Sequence, residues 1–252
     1  MFKNASIYKD IFNQRADSYH DAMMGWPNAR TAEFEALLAG LAIRPGTRMI
    51  DIPAGGGYLS RYLPQGTDLT HLETSELFLE LGHSGSQYPL KLCELDELPI
   101  ADGSIDIAVS LAGLHHTEDK TPLFEEIYRG LVRDGIFVIA DAGAGSATAN
   151  FLDGWIGIHN SMGHRGWYLD QETDATMRDI GFLDVSHETR HYHWVFANPK
   201  EAAKYCKLMF GIDQASVEEI ETALEQYLGF EQLDGEKTGL CWQLDFITAR
   251  KP

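Results

Sequence analysis

The chain of 252 residues has few cysteines and no long apolar run. Its three cysteines, Cys93, Cys206 and Cys241, are odd in number and widely spaced, which argues against a disulfide framework and against a zinc knuckle. No apolar stretch approaches the length of a membrane span, and the first ten residues lack the apolar core of a signal peptide. We therefore expect a cytoplasmic protein that has no membrane partner.

Basic residues are also scarce. The chain has 20 Lys and Arg against 38 Asp and Glu, and its formal net charge is −18. Non-specific binding to nucleic acid depends on basic side chains that neutralise phosphates, so this charge disfavours a nucleic-acid partner. The share of hydrophobic residues, 44%, is that of an ordinary globular protein. We therefore expect the excess of acidic residues to serve mainly solubility.

Strand and helix patterns alternate between residues 47 and 142, which predicts a mostly parallel sheet covered by helices on both faces. Residues 143–169 give no clean period, and helical and strand patterns return after them. The predicted strands are 48–52, 68–73, 88–95, 105–111, 136–143, 183–196 and 239–251. The predicted helices are 31–41, 58–63, 75–82, 121–131, 170–182, 201–211 and 216–228.

Three consecutive glycines, Gly55 to Gly57, follow the first predicted strand. A strand that leads into a glycine-rich turn and a helix typically binds a nucleotide-like ligand at the carboxyl end of a parallel sheet. Glu73 ends the second strand, 22 residues after Asp51, where a carboxylate can accept hydrogen bonds from both hydroxyls of a ribose. Pro53 fixes φ and has no N–H, so we expect a modified ligand loop that keeps close approach at Gly55 and Gly57.

These motifs, in this order, resemble the class I S-adenosylmethionine-dependent methyltransferases, especially the small-molecule group typified by the ubiquinone/menaquinone C-methyltransferases. The resemblance spans about residues 10–142. It rests on DIPAGGG (51–57), on Glu73, on ELDELPIADGSID (94–106), on the histidine pair of LHHTED (114–119) and on the turn LVRDGIF (131–137).

The resemblance implies a Rossmann-like α/β fold with a doubly wound, seven-stranded, mostly parallel sheet and an antiparallel last strand. We expect one domain over residues 1–252, with inserts after strands five and six. Its parts are amino-terminal lid helices (1–45), a cofactor-binding core (46–142) and a substrate-side insert with the carboxyl-terminal strands (143–252).

The resemblance also implies S-adenosylmethionine as cofactor and a set of residues that contact it. Glu73 would bind the ribose hydroxyls, Glu94 the adenine amino group, and Leu95 would pack against the adenine ring. The glycine loop would lie under the methionine and the ribose. The full predicted cofactor set is Tyr19, Asp51, Ala54, Gly55, Gly57, Glu73, Thr74, Glu94, Leu95 and Ser110.

For the methyl acceptor we expect a small organic molecule, bound between the lid, the histidine turn and the insert after strand five. His115 and His116 are the candidate catalytic residues, since proton removal from the acceptor is the chemical help that such a transfer needs. No metal is expected, because the spacing of His187, His191 and His193 fixes no carboxylate partner. The predicted acceptor contacts are Trp155, His159, Asn160, His164, Trp167 and His191.

Two other hypotheses stay open at this point. GGGYLS (55–60) approximates the glycine motif of NAD-dependent oxidoreductases, in which Glu73 could also bind a ribose. Alternatively, the chain could be a non-catalytic member of the fold that binds the cofactor as a regulator. The segment 94–106 and the histidine pair favour the methyltransferase over the oxidoreductase.

Overall fold

A computed structural model describes residues 7–83 and 88–252. Its α-helices are α1 (Ile7–Gly25), α2 (Thr31–Leu38), α3 (Glu76–His83), α4 (Thr121–Gly130), α5 (Ala147–Asn150), α6 (Gly157–His159), α7 (Gln171–Ile180), α8 (Pro199–Met209) and α9 (Val217–Tyr227). Its strands are β1 (Arg48–Asp51), β2 (Asp68–Glu73), β3 (Leu90–Leu92), β4 (Ile105–Leu111), β5 (Leu131–Asp141), β6 (Leu183–Phe196), β7 (Phe230–Gln232) and β8 (Thr238–Arg250). Short 3₁₀ helices lie at Tyr58–Tyr62, Leu114–His116 and Asp234–Glu236, and a π-helical turn at Phe151–Ile156.

Within these two ranges, all eight strands belong to one sheet, with the order β3-β2-β1-β4-β5-β8-β6 and with β7 paired to β8. The five strands from β3 to β5 pair in parallel. β8 pairs antiparallel with both β5 and β6. The order reverses between β1 and β4, so the carboxyl ends of these two strands open onto a crevice where ligands bind in folds of this class.

The central strands β1, β4 and β5 are buried on both faces, since successive side chains point to opposite sides of a sheet that is covered on each side. In β1, Met49 belongs to the core beneath α2 and α8, whereas Ile50 belongs to the core beneath α4 and α7. In β5, Val138 likewise belongs to the core beneath α2 and α8, and Ile139 to the core beneath α4 and α7. This double burial explains why the strands appear in the sequence as apolar runs without alternation.

The predicted α/β architecture with a mostly parallel sheet and an antiparallel last strand is confirmed. Four details differ. The segment 58–63 forms a 3₁₀ helix that ends before Pro64, and the strand predicted at 88–95 covers only Leu90–Leu92. The strand predicted at 136–143 begins earlier, at Leu131, and β7 is an eighth strand that was not predicted. Among the described residues, no helix is long and apolar enough to cross a membrane.

The amino-terminal helices are tied to the carboxyl-terminal strands by a buried ion pair. The Glu33 carboxylate, fully buried on α2, accepts hydrogen bonds from the Arg30 guanidinium, including one of 2.9 Å from Nε. It also accepts bonds from Trp194 Nε1 at 2.7 Å and from the Tyr192 hydroxyl at 3.2 Å, both on β6. Four hydrogen bonds to one carboxylate offset the desolvation cost of burying its charge.

We expect Glu33→Gln to lower the free energy of unfolding by about 3–5 kcal/mol, because it leaves the buried Arg30 charge without its counterion. Urea denaturation measures the change. Glu35→Gln, an exposed neighbour on the same helix, is the control and should stay within about 0.5 kcal/mol of the parent. A Glu33→Gln protein as stable as the parent would show that the pair contributes little.

We also expect residues 1–252 to unfold in a single thermal transition. β8 pairs with β5 of the core, and Arg190 on β6 donates to the Ala36 carbonyl of α2, so the two halves of the chain share their sheet and their packing. Calorimetric and van 't Hoff enthalpies should then agree. Two independent transitions in the scan would contradict a single domain.

Candidate functional site

The glycine loop follows β1 and is shaped by left-handed backbone at Gly55 (φ 54°) and Gly57 (φ 76°), a conformation that few other residues adopt. Pro53 precedes it after a cis Ile52–Pro53 bond. Gly57 opens the 3₁₀ helix and packs against the His71 ring, where an added Cβ would lie 3.3 Å from two ring atoms. A Cβ added at Gly55 would lie at ordinary van der Waals distance from the rings of Phe78 and Tyr58.

Glu73 lies behind this loop as a fully buried carboxylate that accepts four hydrogen bonds. Oε2 accepts from Gly55 N–H at 2.6 Å and from the Tyr8 hydroxyl at 3.2 Å. Oε1 accepts from Thr74 N–H at 2.7 Å and Ser75 N–H at 2.8 Å. Burial raises the pKa of Glu73 to about 8, although these hydrogen bonds act in the opposite direction.

Helix α1 covers Glu73 and Glu94, the two carboxylates that are predicted to bind the adenosine. Tyr8 donates to Glu73, and Lys9 Nζ lies 2.7 Å from Glu94 Oε1. Phe12 fills the space between them and α3, with its ring centroid 4.5 Å from that of Tyr8 and 5.0 Å from that of Phe78. A ribose can therefore reach Glu73 only after the Tyr8 hydroxyl has left it.

A first cavity, of about 40 Å³, remains at the carboxyl ends of β1 and β4. Its walls include Asp51, Ala54 and Gly55 of the loop, Tyr19 of α1, and Gly113 after β4. The Asp51 carboxylate is held by the His71 ring, with Oδ2 3.0 Å from Nδ1.

The polar atoms of this region fit a cofactor that carries hydroxyl and amino groups. The buried hydroxyls of Thr74 and Ser110 have no hydrogen-bond partner, and the Glu73 carboxylate accepts from a loop amide, but none of these three side chains lines the first cavity. Leu95 is partly buried and packs against the core on the other face of the sheet, while the Glu94 side chain is 57% exposed.

The histidine turn after β4 is held by Asp141, at the carboxyl end of β5. Asp141 Oδ1 lies 2.6 Å from His115 Nδ1, and Oδ2 accepts the His115 N–H at 2.9 Å. Burial alone would raise the pKa of Asp141, but the His115 ring and the hydrogen bonds from His115 and Ala142 hold that pKa below its usual range. An ionised Asp141 fixes both the position of the turn and the orientation of the His115 ring.

His115, His116 and His164 meet at a second cavity of about 50 Å³. The centroid of the His115 ring lies 4.1 Å from that of His116 and 5.5 Å from that of His164. His164 Nδ1 lies 2.9 Å from Asp153 Oδ1. Burial is the main cause that lowers the pKa values of His116 and His164, and neighbouring positive groups lower both further. For His164, Asp153 acts in the opposite direction and raises the pKa.

Five predicted acceptor residues do not reach either cavity. Trp155 and His159 stack on each other at 4.1 Å, and Asn160 donates to the Phe210 carbonyl at 2.7 Å. Trp167 lines a different surface depression. His191 is exposed on β6, on the face opposite Trp194, because residues an odd number apart on a strand point to opposite sides.

The sequence interpretation missed several residues that line the cavities. Asp141 could have been found, because an acidic residue at the carboxyl end of a parallel strand lies at the ligand edge of the sheet. The others come from elements far apart in the chain, so no local pattern indicates them. They are Tyr8, Phe12, Arg15, Arg30, Trp194, Phe210 and Trp242.

Comparison with known proteins shows similarity to methyltransferases. Residues 50–139 match the family described as "Methyltransferase domain". The chain is 27% identical over 210 residues to a glycine/sarcosine/dimethylglycine N-methyltransferase of Actinopolyspora halophila, covering 79% of this chain and 34% of that protein. It is 25% identical over 143 residues to the ubiquinone/menaquinone biosynthesis C-methyltransferase UbiE of Paraburkholderia phymatum, covering 52% of this chain and 58% of that protein. The chain thus spans a third of the first relative and somewhat more than half of the second.

The fold is shared with solved methyltransferase structures. A phosphoethanolamine N-methyltransferase of Haemonchus contortus, in complex with phosphomonomethylethanolamine and S-adenosylhomocysteine, aligns with a TM-score of 0.64 at 18% identity, over 97% of this chain and 60% of that chain. None of these matches supports the oxidoreductase hypothesis. The matched domain, the two relatives and the shared sheet together confirm the resemblance to the class I S-adenosylmethionine-dependent methyltransferases of the small-molecule group.

Proposed function

We propose that this chain transfers the methyl group of S-adenosylmethionine to a small organic acceptor held in the second cavity. The observation that carries the proposal is that the two cavities adjoin. Both are lined by Phe12, Tyr19, Arg30 and Ala112, so a ligand at the glycine loop and a ligand at the histidine cluster would be separated only by these side chains. Alignment of two reactants across a short gap is the main contribution a protein makes to such a displacement.

When bound, S-adenosylmethionine supplies an electrophilic methyl group. Glu73, the glycine loop and the buried hydroxyls of Thr74 and Ser110 would hold it, while Tyr19 would close its outer side. The Tyr19 hydroxyl accepts a 2.6 Å hydrogen bond from Arg30 and is thereby fixed at the boundary between the cavities.

We predict that Glu73→Ala weakens binding of S-adenosylhomocysteine by about 30- to 160-fold, because it removes a charge-assisted acceptor worth about 2–3 kcal/mol. Ribose hydroxyls donate best to an ionised carboxylate. With the Glu73 pKa at about 8, binding to the parent should therefore tighten as the pH rises from about 6.5 to 8.5. Titration calorimetry at several pH values measures both effects.

Tyr8→Phe is the matched variant for that experiment. It removes the hydroxyl that competes for Glu73 but leaves the ring in place, so affinity for S-adenosylhomocysteine should rise about two- to tenfold. An unchanged affinity in Glu73→Ala would remove Glu73 from the cofactor site. Weaker binding in Tyr8→Phe would mean that the hydroxyl assists the cofactor instead of competing with it.

If a proton must leave the acceptor, His115 is placed to remove it. The ionised Asp141 accepts a hydrogen bond from Nδ1, which leaves Nε2 as the proton acceptor of the ring. Trp167 N–H donates to the His115 carbonyl at 2.8 Å and holds the turn from the other side. His116 packs beside it as a neutral ring, with its pKa lowered by burial.

We predict that His115→Ala lowers kcat by about 10²- to 10⁴-fold with little change in affinity for S-adenosylhomocysteine. Asp141→Asn should also lower kcat, since an amide no longer fixes which ring nitrogen carries the proton. Release of S-adenosylhomocysteine from a pool of small metabolites measures turnover.

His193→Ala is the control, because His193 lies on β6 outside both cavities and pairs with Glu231 on the surface. A His115→Ala enzyme with parental kcat would exclude a base at this position. A parent protein that binds S-adenosylhomocysteine but turns over no acceptor in the pool would favour the regulatory hypothesis.

The remaining parts of the proposal concern the acceptor and its location. The curated relative from Actinopolyspora halophila is named for glycine, sarcosine and dimethylglycine, which supports a small acceptor here. The net charge of −18 supports an acceptor other than nucleic acid. All three cysteines are free thiols, which supports a reducing compartment such as the cytoplasm.

A further inference from the structure

Arg15 on α1 is a cation without a counterion at the wall of the second cavity. Within residues 7–83 and 88–252, its guanidinium makes no hydrogen bond and no ion pair, and its Nε is buried without a partner. Its Cζ lies 5.1 Å from the centroid of the Phe12 ring. Arg30 lines the same cavity but is paired with Glu33. Of the two arginines that line this cavity, Arg15 is therefore the one without an acidic partner.

The missing counterion is notable because the chain has 38 acidic residues and only 20 basic ones. Burial lowers the pKa of Arg15 to about 10, which still leaves the guanidinium charged at neutral pH. The Arg15 side chain is half-buried, and its Nε is fully buried without a partner, so an anionic ligand in the cavity would supply the hydrogen-bond acceptor and the charge that the protein does not.

The other charged groups around the cavity are already engaged. Asp141 holds His115, and Asp153 holds His164. The three histidine rings come close enough together to suggest a metal ion, with their ligand atoms within 4.8 Å of one another. However, the Arg15 guanidinium lines the same cavity, and its charge acts on both His116 and His164, which disfavours a cation beside these two rings.

The size of the cavity limits the ligand. Its volume of about 50 Å³ corresponds to roughly four water molecules, at about 10–15 Å³ for each. Phe12, Phe210 and Trp242 provide apolar walls. One unpaired guanidinium balances one negative charge, whereas a phosphate monoester carries closer to two. A compact monoanion therefore fits better than a phosphorylated molecule.

We propose that Arg15 binds the carboxylate of the methyl acceptor, so that the enzyme selects small carboxylic acids. The inference rests on the proposed function for the role of that ligand as acceptor, but the anion site itself stands on the geometry of Arg15. A planar guanidinium can donate two parallel hydrogen bonds to a carboxylate, which fixes the orientation of the ligand as well as its charge.

The test compares carboxylates with amides of the same shape. Acetate and acetamide, and propionate and propionamide, are titrated into the protein with and without S-adenosylhomocysteine, and binding is followed by calorimetry and by thermal shift. The parent should bind the better carboxylate at least about tenfold more tightly than its amide. Arg15→Gln should abolish this preference, and Arg15→Lys should retain part of it. Methyl phosphate is included as a dianionic probe.

Arg44→Gln, which changes an exposed arginine, is the control and should keep the preference. Arg15→Gln should bind S-adenosylhomocysteine as the parent does and should be at least as stable, because it removes a buried unpaired charge. Equal binding of carboxylate and amide by the parent, a preference that survives in Arg15→Gln, tighter binding of methyl phosphate, or no carboxylate binding at about 20 mM would each overturn the inference.

The two proposals fail separately in this design. A parent protein that does not bind S-adenosylhomocysteine contradicts the proposed function, while its carboxylate titrations still report on Arg15. A parent that binds S-adenosylhomocysteine but shows no carboxylate preference contradicts only the role of Arg15.

Discussion

The buried pair of Arg30 and Glu33 is the interaction on which the rest of the site depends. Arg30 lines both cavities and donates to the Tyr19 hydroxyl of α1, while Glu33 accepts from Trp194 and Tyr192 of β6. One carboxylate and one guanidinium thus connect the first two helices to a strand more than 150 residues later. This connection holds Arg30 in the wall between the cavities and Trp194 on the aromatic side of the second cavity.

Charge is distributed unevenly around this pair. Beside the glycine loop, Asp51 lines the first cavity, and the buried Glu73 carboxyl, whose pKa burial raises to about 8, is surrounded by backbone amides and a tyrosine. At the second cavity, Asp141 and Asp153 orient histidines, and Arg15 has no acidic partner. The acidic groups of the first cavity and the unpaired cation of the second therefore lie on either side of a shared wall.

The fold could be predicted from the sequence because it is encoded locally, whereas the cofactor-binding roles of individual residues stay predictions. β1, the glycines and Glu73 occur within 26 residues, and parallel strands bring their carboxyl ends to one edge. The acceptor side could not be predicted in the same way. Residues 143–169 have no period because they form a π-helical turn between two short helices, which directs Trp155 and His159 away from the cavity. In β6, the period of two shows that His191 and Trp194 lie on opposite faces, but it does not show which face is inside.

Helix α1 presents Tyr8, Phe12, Arg15 and Tyr19 on one face, at spacings of four and three residues. Tyr8 contacts the carboxylate assigned to the ribose, and Arg15, two turns later, lies about 10 Å further along the same rod. Because one helix carries both side chains, a shift of α1 would change the surroundings of Glu73 and of the second cavity together. A ligand that moves α1 would therefore alter both cavities, whichever of them it occupies.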